Sequence, residues 1–453
     1  MRTYELKKTP RLPLYEALYQ CIRQDILSGE LSAGEKLPSK RALAANLKVS
    51  KITVEGAYQQ LLEEGYIRAR EKVGYFVEPQ EQLHTVHSHP GIVPEPAKPE
   101  PLVDLTGNGP AQFPFSVWSR LQRQVMLDQG ETLLLPLENQ GCSQLRRAIA
   151  DHLADFRGMQ VDPQNILIGA GTDFLYNLLI QLLGRDKVYA LEDPGYAKIA
   201  QIYQAGGVQC VWAGLDAQGI RPEELENAQV LHISPSHHFP TGIVTGVNRR
   251  MELLEWANAK PDRYIIEDDY DSEFRFTARP KPTIQSLDRN GRVIYMNTFS
   301  KTLAPSIRIS YMVLPPALMA QFQRTLGFYS CTVPSFEQYT LARFLSEGHF
   351  EKHINRMRKS YRILRNQVIH ALQQSRYAPQ ITILEQDAGL HFLVQLHTEL
   401  SDEDLIRRCS DMGIRIRALS SYYHQRQDRH ALVVNYSGLR QEDLPKLIHC
   451  LSI

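Results

Sequence analysis

The sequence has 453 residues, 43% of them hydrophobic and 22% charged, which excludes disorder as the main state and is typical of a globular protein. At about 100–200 residues per domain, this length predicts two to four domains. The 51 basic and 50 acidic residues nearly balance, so any affinity for a polyanion has to come from a local basic surface.

No run of residues approaches the roughly 18 consecutive apolar residues of a membrane-spanning helix. The N-terminal segment MRTYELKKTPRLP lacks the apolar core of a signal peptide. The six cysteines are scattered without the CxxC spacing that is typical of zinc sites. We therefore expect a cytoplasmic protein with reduced cysteines, no metal site and no membrane partner.

Residues 1–78 hold 13 basic and 10 acidic side chains, the sign expected of a unit that meets a polyanion. An apolar stripe at helical spacing predicts a first helix that ends near Gly29; its members are Leu14, Leu18, Ile22 and Ile26. Ser39 and Ser50 are suitable N-caps for two short helices separated by LKV, which predicts a helix-turn-helix. Beyond it, YIRAR and GYFV alternate as two strands of a basic wing. A small helical docking module has the same apolar spacing and is the alternative.

The order of these elements, with LPSKRALA and SKITVEGAYQQLLEEGYI, resembles the winged-helix domain of GntR-type transcription regulators. The resemblance implies operator DNA as a partner, with contacts from Lys36, Ser39, Arg41, Ser50, Lys51 and Thr53, and from Lys72 and Gly74 in the wing. The arginine that usually follows the first serine of the recognition helix is Lys51 here. A lysine keeps the charge but lacks the bidentate fork that reads guanine best.

The next segment is rich in proline: six of the 26 prolines lie between Pro79 and Pro101, which predicts an extended linker over 79–102. Residues 103–453 alternate helical patterns with short apolar runs, namely NILIGA, KVYAL, VLHIS, YIIEDDY and RVIYMNTFS. This alternation predicts an α/β domain built on a mostly parallel sheet. Ligands of such sheets bind at the carboxyl ends of the strands.

Three segments at predicted strand ends carry the chemistry of pyridoxal phosphate. GAGTDFLYNLLIQLL offers backbone N–H groups at a helix start, which suit a phosphate. YIIEDDYDSEF supplies carboxylates and a tyrosine, and NTFSKTLAPSIRISY supplies a lysine followed by an arginine seven positions later. An amine, a carboxylate for the pyridine nitrogen and phosphate donors are what this cofactor requires. Taken alone, Lys301 is more consistent with a surface lysine in a hydroxyl-rich loop, but its combination with the other two segments favours the cofactor.

Residues 103–453 resemble a fold-type I aminotransferase domain of class I, and the whole chain resembles the MocR subgroup of GntR regulators. The resemblance implies a smaller C-terminal α+β subdomain, a homodimer and bound pyridoxal phosphate. By the resemblance, Lys301 is the Schiff-base lysine, Asp268 pairs with the pyridine nitrogen, Tyr270 meets the ring hydroxyl, and Tyr196 stacks on the ring. Asp269 is the alternative to Asp268. The implied phosphate contacts are Gly171, Thr172, Thr298, Ser300 and Arg308.

The chain departs from working aminotransferases at three positions. Phe239 replaces the asparagine that contacts the cofactor hydroxyl, which leaves Ser236, His237 or His238 to supply a polar partner. Val433 replaces the carboxylate-binding arginine, for which Arg415, Arg417 or Arg429 would have to substitute. Pro136 or Leu137 replaces the tyrosine donated to the partner subunit.

These departures predict a regulator that binds the cofactor with poor turnover. Its effector is then either pyridoxal phosphate itself or a small amine or amino compound. The alternative hypothesis is an active aminotransferase with an accessory DNA-binding arm. A scaffold that has lost the cofactor is disfavoured, because the lysine, aspartate, tyrosine and arginine of the site are all present.

Overall fold

The computed structural model describes Tyr4, Leu6 and residues 13–71, 73–79, 103–107, 112–276, 281–385 and 389–451. The chain divides into two compact units, Met1–Lys98 and Pro99–Ile453. Apart from Pro79, the predicted linker lies outside the described residues. Within the described ranges, no helix combines the length and the apolar character needed to cross a bilayer.

The first unit is three helices followed by a hairpin: α1 Leu14–Leu27, α2 Lys40–Leu47, α3 Lys51–Glu63, β1 Ile67–Arg70 and β2 Gly74–Val77. The two predicted N-caps are confirmed, because Ser39 accepts a hydrogen bond from the Ala42 N–H and Ser50 accepts one from the Thr53 N–H. The antiparallel register aligns Ile67 with Val77. The predicted helix-turn-helix and wing are therefore present.

One apolar core holds this unit together. Its buried members come from all three helices and both strands, and include Leu18, Ile22, Leu43, Val54, Ala57, Tyr58, Leu61, Ile67 and Val77. Leu14, at the start of the predicted stripe, is half-buried. The Tyr58 hydroxyl donates to the Pro38 carbonyl at 2.9 Å, which fastens α3 to the turn before α2.

The second unit is built on an eight-stranded sheet. Its strands are β4 Ile166–Gly169, β5 Val188–Asp193, β6 Gln209–Asp216, β7 Gly219–Ile220, β8 Val230–Ile233, β9 Tyr264–Asp268, β10 Val293–Thr298 and β11 Ser310–Val313. Their order is β4-β11-β10-β9-β8-β5-β6-β7. The central strands are parallel, whereas β11 runs antiparallel between β10 and β4. All five predicted strands belong to this sheet, and the predicted mostly parallel sheet is confirmed.

Helices cover both faces of this sheet. They are α4 Phe115–Gln129, α5 Ser143–Arg157, α6 Thr172–Leu183, α7 Ala197–Ala205, α8 Val247–Asn258, α9 Ile284–Leu287, α10 Pro316–Thr325, α11 Ser335–Ser346 and α12 His349–Gln373. One core packs α5 and α11 against β4, β10 and β11, and another packs α6 and α10 against the central strands. Strands that are buried on both faces have continuous apolar sequences, which explains the short apolar runs seen in residues 103–453.

A smaller subdomain closes the chain, as predicted. Its antiparallel sheet has the order β12-β13-β16-β15, with β12 Ile381–Leu384, β13 His391–Leu396, β15 Arg417–Ala418 and β16 Ala431–Asn435. The short strands β3 Val103–Asp104 and β14 Ile414–Arg415 pair in parallel beside it. Its helices are α13 Asp402–Asp411 and α14 Leu444–Cys450.

Candidate functional site

The start of α3 is an exposed polar surface. Ser50 caps the helix and its hydroxyl lies 2.9 Å from that of Thr53, so both side chains are fixed at the first turn. Lys51 is exposed and forms an ion pair with Glu55 at 3.3 Å. Arg41, on α2, is exposed as well. These four predicted contact residues therefore belong to the helix-turn-helix, where side chains reach base edges and phosphates.

The wing brings two more predicted residues together. Gly74 begins β2 with φ +135°, and a Cβ at this position would lie 3.1 Å from Cε of Lys36. Lys36 is exposed and bridges to Phe76. Ser39 is also exposed, at the cap of α2, and Lys72 lies outside the described residues.

Ile52, in the first turn of α3, is a surface feature that the sequence reasoning missed. It is 78% exposed, the largest such value among the large hydrophobic residues in the described ranges. An apolar side chain at the start of a recognition helix has the chemistry to contact a thymine methyl group. Ile52 lies outside the apolar face of α3, and this position in the sequence pattern was the signal that could have identified it.

In the second unit, the predicted cofactor residues follow the carboxyl ends of neighbouring strands. Lys301 lies just after β10 and is half-buried. Burial lowers the pKa of the Lys301 amine, whereas the charges of Asp271 and Asp268 act in the opposite direction. Among the described residues, no carboxylate forms an ion pair with it within 4.0 Å. A lysine in this environment is more nucleophilic than a solvated surface lysine.

Asp268 ends β9 and is 5% exposed. One carboxylate oxygen, Oδ2, accepts a hydrogen bond from the Tyr176 hydroxyl at 2.5 Å and lies 3.5 Å from Nε2 of His232. The other oxygen, Oδ1, is buried and has no hydrogen-bond partner among the described residues. Burying a carboxylate oxygen without a hydrogen-bond partner costs free energy, so a ligand that donates a hydrogen bond to Oδ1 would be stabilised.

Asp269 faces a different environment from Asp268. It forms an ion pair with Arg157 at 3.0 Å, with both side chains almost fully buried, and it accepts a hydrogen bond from the Tyr295 hydroxyl at 2.7 Å. Breaking such a buried pair leaves an uncompensated charge. The charge of Asp269 is thus already matched inside the protein.

A cradle whose groups have the chemistry to bind an anion forms where α6 begins. Gly171 has φ +93°, and a Cβ there would lie 2.1 Å from Nη2 of Arg308. Thr172 starts α6, whose free N–H groups favour an anion. At the end of β10, the Thr298 hydroxyl accepts a hydrogen bond from the Ser300 N–H at 3.1 Å. The structure therefore places Gly171 against Arg308, and Thr298 next to Ser300.

Aromatic and imidazole rings line the neighbouring loops. Tyr196, at the start of α7, is 47% exposed and lies edge-on to Phe239 with ring centroids 5.9 Å apart. The hydroxyl of Tyr270 lies 3.4 Å from Nδ1 of His237, and that nitrogen lies 2.8 Å from Asp271. Burial and the nearby carboxylates raise the pKa of Tyr270 well above its ordinary value. Tyr270 is therefore a neutral hydrogen-bonding group.

The sequence reasoning missed three buried residues around these side chains. Tyr176 donates a hydrogen bond to Asp268 and His232 lies 3.5 Å from it, but both residues lie in apolar segments where each resembles an ordinary core residue. His391, on β13, packs 4.7 Å from the ring of His237, and burial lowers its pKa well below the ordinary value. A histidine inside the run AGLHFLV was the available signal for His391.

A winged helix followed by a domain with this strand-end lysine, aspartate and anion cradle defines a class of protein: a DNA-binding regulator with an aminotransferase-type domain. The family model for bacterial regulatory proteins of the gntR family matches residues 14–77. The model for aminotransferases of class I and II matches residues 100–451.

Relatives along the whole chain are transcription regulators. The chain is 35% identical to the uncharacterized HTH-type transcriptional regulator YdeL of Bacillus subtilis, over 97% of this chain and 96% of YdeL. It is 31% identical to the probable rhizopine catabolism regulatory protein MocR of Rhizobium meliloti, over 98% of this chain and 94% of MocR. A crystal structure of kynurenine aminotransferase from Pyrococcus horikoshii matches 77% of this chain and 90% of that one, with a TM-score of 0.67 and 25% identity.

The chain belongs to the MocR-like group of GntR-type transcription regulators, in which a helix-turn-helix domain is fused to an aminotransferase class I and II domain. Because similarity to regulators extends through both domains, the regulator hypothesis is favoured over an aminotransferase with an accessory DNA-binding arm.

Proposed function

We propose that this regulator binds operator DNA through α2, α3 and the wing, and holds pyridoxal phosphate in its aminotransferase-type domain as cofactor, effector or both. The proposed boundaries are 1–78 for the DNA-binding domain, 79–102 for the linker and 103–453 for the effector domain. The observation that carries the proposal is the convergence of Lys301, Asp268 and the anion cradle at the carboxyl ends of β4, β9 and β10.

The residues present fit the cofactor. Asp268 offers a buried oxygen without a donor, as a protonated pyridine nitrogen requires. Asp269 is already neutralised by Arg157, which favours Asp268 for this role. When bound, pyridoxal phosphate supplies an aldehyde that an amine can attack. The lowered pKa of Lys301 increases the fraction of its amine that is neutral and able to react.

The remaining assignments follow from the same geometry. Gly171, Thr172, Thr298, Ser300 and Arg308 hold the phosphate. Tyr196 covers one face of the ring. Tyr270 binds the ring hydroxyl, and His237, beside Tyr270, is the best-placed substitute for the asparagine that Phe239 replaces.

Two features of the pocket support sensing over turnover. Val433 is buried in an apolar cluster with Leu393 and Tyr422, so it offers no charge to a substrate carboxylate. Phe239 packs against the same cluster. The effector is then pyridoxal phosphate itself or a small amine or amino compound that reaches Lys301.

The active form that we propose is a homodimer. Large apolar side chains are concentrated on the surface of one segment of the second unit: Phe115, Met126, Leu127, Leu134 and Leu135. Exposed apolar patches of this kind are typical of protein interfaces. Phe115 also lines a cleft that reaches Arg308, so a second copy seated here would cover the edge of the phosphate cradle.

The test uses the full-length protein and duplexes that it selects from a random DNA library. Affinity for a selected duplex should fall with salt, with a slope of about −0.9 per neutralised phosphate. Arg41→Ala should lower affinity across sequences and reduce the slope by about one. Arg289→Ala removes an exposed arginine of the second unit and serves as the control.

Sensing is tested on the same duplexes by measuring affinity with and without pyridoxal phosphate, and then with amines added. A dependence of DNA affinity on these compounds supports the proposal. An affinity that none of them changes would refute the sensing role, and equal effects of the two arginine variants would refute the DNA-binding surface.

A further inference from the structure

The positive charge of the second unit is concentrated on one helix. Residues 103–453 hold 37 basic and 37 acidic residues, so this segment as a whole is neutral. Helix α12, His349–Gln373, holds six of the basic residues and a single acidic one, Glu351, which gives it a net charge of +5. The rest of the segment is therefore negative, and α12 is a local source of positive potential within it.

Four of the six cations of α12 face away from the core. They are exposed and follow one another at intervals of three or four residues, a spacing that places side chains on one side of a helix. We call these four residues the basic face: Lys352, Arg356, Lys359 and Arg362. The buried residues of α12, which include Met357 and Tyr361, lie on the opposite side.

The other two cations of α12 have partners inside the protein. Nε of Arg358 donates a hydrogen bond to the Glu273 carbonyl, and its guanidinium lies 5.2 Å from the ring centroid of Phe156. The guanidinium of Arg365 lies 4.8 Å from the ring centroid of Phe276. The basic face has no comparable hydrogen bond or ring contact with the described residues.

The charges of the basic face repel one another. Within the part of the chain that the structure describes, no carboxylate lies within 4.0 Å of any of them. Arg356 follows Lys352 by four positions and precedes Lys359 by three, and like charges at these spacings destabilise a helix. Glu351 does not offset this repulsion, because the residue four positions after it is Asn355. A polyanion bound to the basic face would relieve the repulsion.

We propose that the basic face of α12 is a second DNA-binding surface, which contacts phosphates of the DNA that flanks the operator. This inference rests on the proposed function, because it needs a protein that the winged helix has already brought to DNA. The rise of about 1.5 Å per residue puts Lys352 and Lys359 about 10 Å apart along the helix. A strand of B-DNA carries one phosphate per about 3.4 Å of its axis, so three successive cations can each reach a phosphate.

The neighbours of the basic face favour DNA over a protein partner. Asn355, Asn366 and Gln367 are exposed beside it and offer hydrogen bonds to phosphate oxygens. Ile363 is the one large hydrophobic residue of α12 that is exposed, whereas protein interfaces have an apolar core with aromatic residues. Because phosphates carry no sequence information, this surface adds affinity without adding a sequence preference.

The experiment compares two duplexes that share one selected site. The short duplex holds only the base pairs for which the full-length protein shows a sequence preference. The long duplex adds about three helical turns, of about 10 bp each, on both sides of this site. Dissociation constants for the full-length protein come from fluorescence anisotropy at salt concentrations from about 50 to 200 mM, a range over which phosphate contacts change affinity strongly.

The unaltered protein should bind the long duplex more tightly, with a salt slope steeper by about 2.7 when three phosphates are neutralised. The advantage of the long duplex should therefore shrink about 40-fold between about 50 and 200 mM salt. The triple variant Lys352→Gln, Arg356→Gln, Lys359→Gln should lose the steeper slope and keep its affinity for the short duplex within about twofold. Lys359→Gln alone should reduce the slope on the long duplex by about 0.9.

A second triple variant provides the matched control. Lys260→Gln, Arg289→Gln, Arg324→Gln removes the same charge from exposed positions outside α12 and should keep the advantage of the long duplex. A change in the sequence of the flanking base pairs should leave both slopes as they are, because the basic face contacts phosphates. Thermal unfolding establishes that each variant is folded.

The possible failures differ from one another. If the unaltered protein binds both duplexes with the same affinity and slope, the inference about the basic face is wrong while operator binding survives. The same holds if the variant of the basic face keeps the advantage of the long duplex, or if the control variant loses it equally. If the unaltered protein selects no duplex, or Arg41→Ala changes binding to neither duplex, the DNA-binding part of the proposed function fails, and the inference fails with it.

Discussion

Replacing Gly171 with alanine should weaken the binding of pyridoxal phosphate by way of Arg308. The added Cβ would lie 2.1 Å from Nη2 and 2.5 Å from Cζ of Arg308, so the guanidinium has to leave its place. A charged hydrogen bond contributes about 1.5–3 kcal/mol. If the phosphate loses one such bond, the affinity for pyridoxal phosphate falls by about 10- to 150-fold.

The substitution also strains the backbone. Gly171 has φ +93° and ψ 163°, a region that only glycine occupies readily, at a cost to other residues of about 1–3 kcal/mol. Gly158 provides a matched control, because it ends α5 with φ +66° and a Cβ there would have no neighbour within 4 Å. Gly158→Ala should therefore lower the free energy of unfolding by about 1–2 kcal/mol without touching the cradle.

Two measurements separate these effects. Urea unfolding without pyridoxal phosphate gives the free energy of unfolding, which both variants should lower. Titration of the folded protein with pyridoxal phosphate, followed by protein fluorescence, gives the dissociation constant, which only Gly171→Ala should raise. An affinity within twofold of the unaltered protein for Gly171→Ala would refute the phosphate cradle, as would an equal loss for Gly158→Ala.

Three further outcomes are expected. Lys301→Ala should abolish the borohydride-reducible link to pyridoxal phosphate, measured by mass spectrometry of the digested protein; a link on another lysine would contradict the assignment. Burial raises the pKa of Glu192 from 4.5 to about 8, so the native state holds a proton that the unfolded state releases, and stability should fall as pH rises through this interval. Glu192→Gln should flatten this slope in urea unfolding from pH 5 to 8, and an unchanged slope would exclude Glu192 as its source. The double variant Leu127→Glu, Leu134→Glu should sediment as a monomer at micromolar concentration, and a persistent dimer would place the interface elsewhere.

Local patterns were sufficient to predict most of the fold. The helix-turn-helix could be predicted because its signals act within a few residues. These signals are the N-caps Ser39 and Ser50 and the apolar spacing of α3. The central strands could be predicted because both of their faces are buried, which gives them continuous apolar runs in the sequence. The antiparallel β11 was not predicted, since its pairing with β4 joins segments more than 130 residues apart and leaves no local signal.

The site was harder to predict from the sequence, because the residues around Asp268 come from elements that are distant along the chain. Tyr176 resembles a core residue of an apolar helix, and His232 an interior residue of a strand, yet Tyr176 donates to Asp268 and His232 lies 3.5 Å from it. Arg417 and Arg415 are indistinguishable in RIRA, and what separates them is the ion pair of Arg415 with Asp104. These distinctions depend on which strands and helices lie next to one another in the fold. The spacing of residues along the sequence does not show this.

The run YIIEDDYDSEF shows why one segment can carry several acids with different roles. Glu267 is paired with Arg250 of α8, Asp269 with Arg157 of α5, and Asp271 with His237.

These buried acids need partners, because removing one member of a buried pair costs about 3–5 kcal/mol. One oxygen of Asp269 also lacks a donor, but Asp268 differs in its surroundings: its neighbours among the described residues are a tyrosine and a histidine rather than a fixed cation, and its own Oδ1 has no donor. A ligand that brings a positive charge to this oxygen therefore gains an interaction that no arginine already supplies. The choice between Asp268 and Asp269 follows from where the arginines are, and not from the acids themselves.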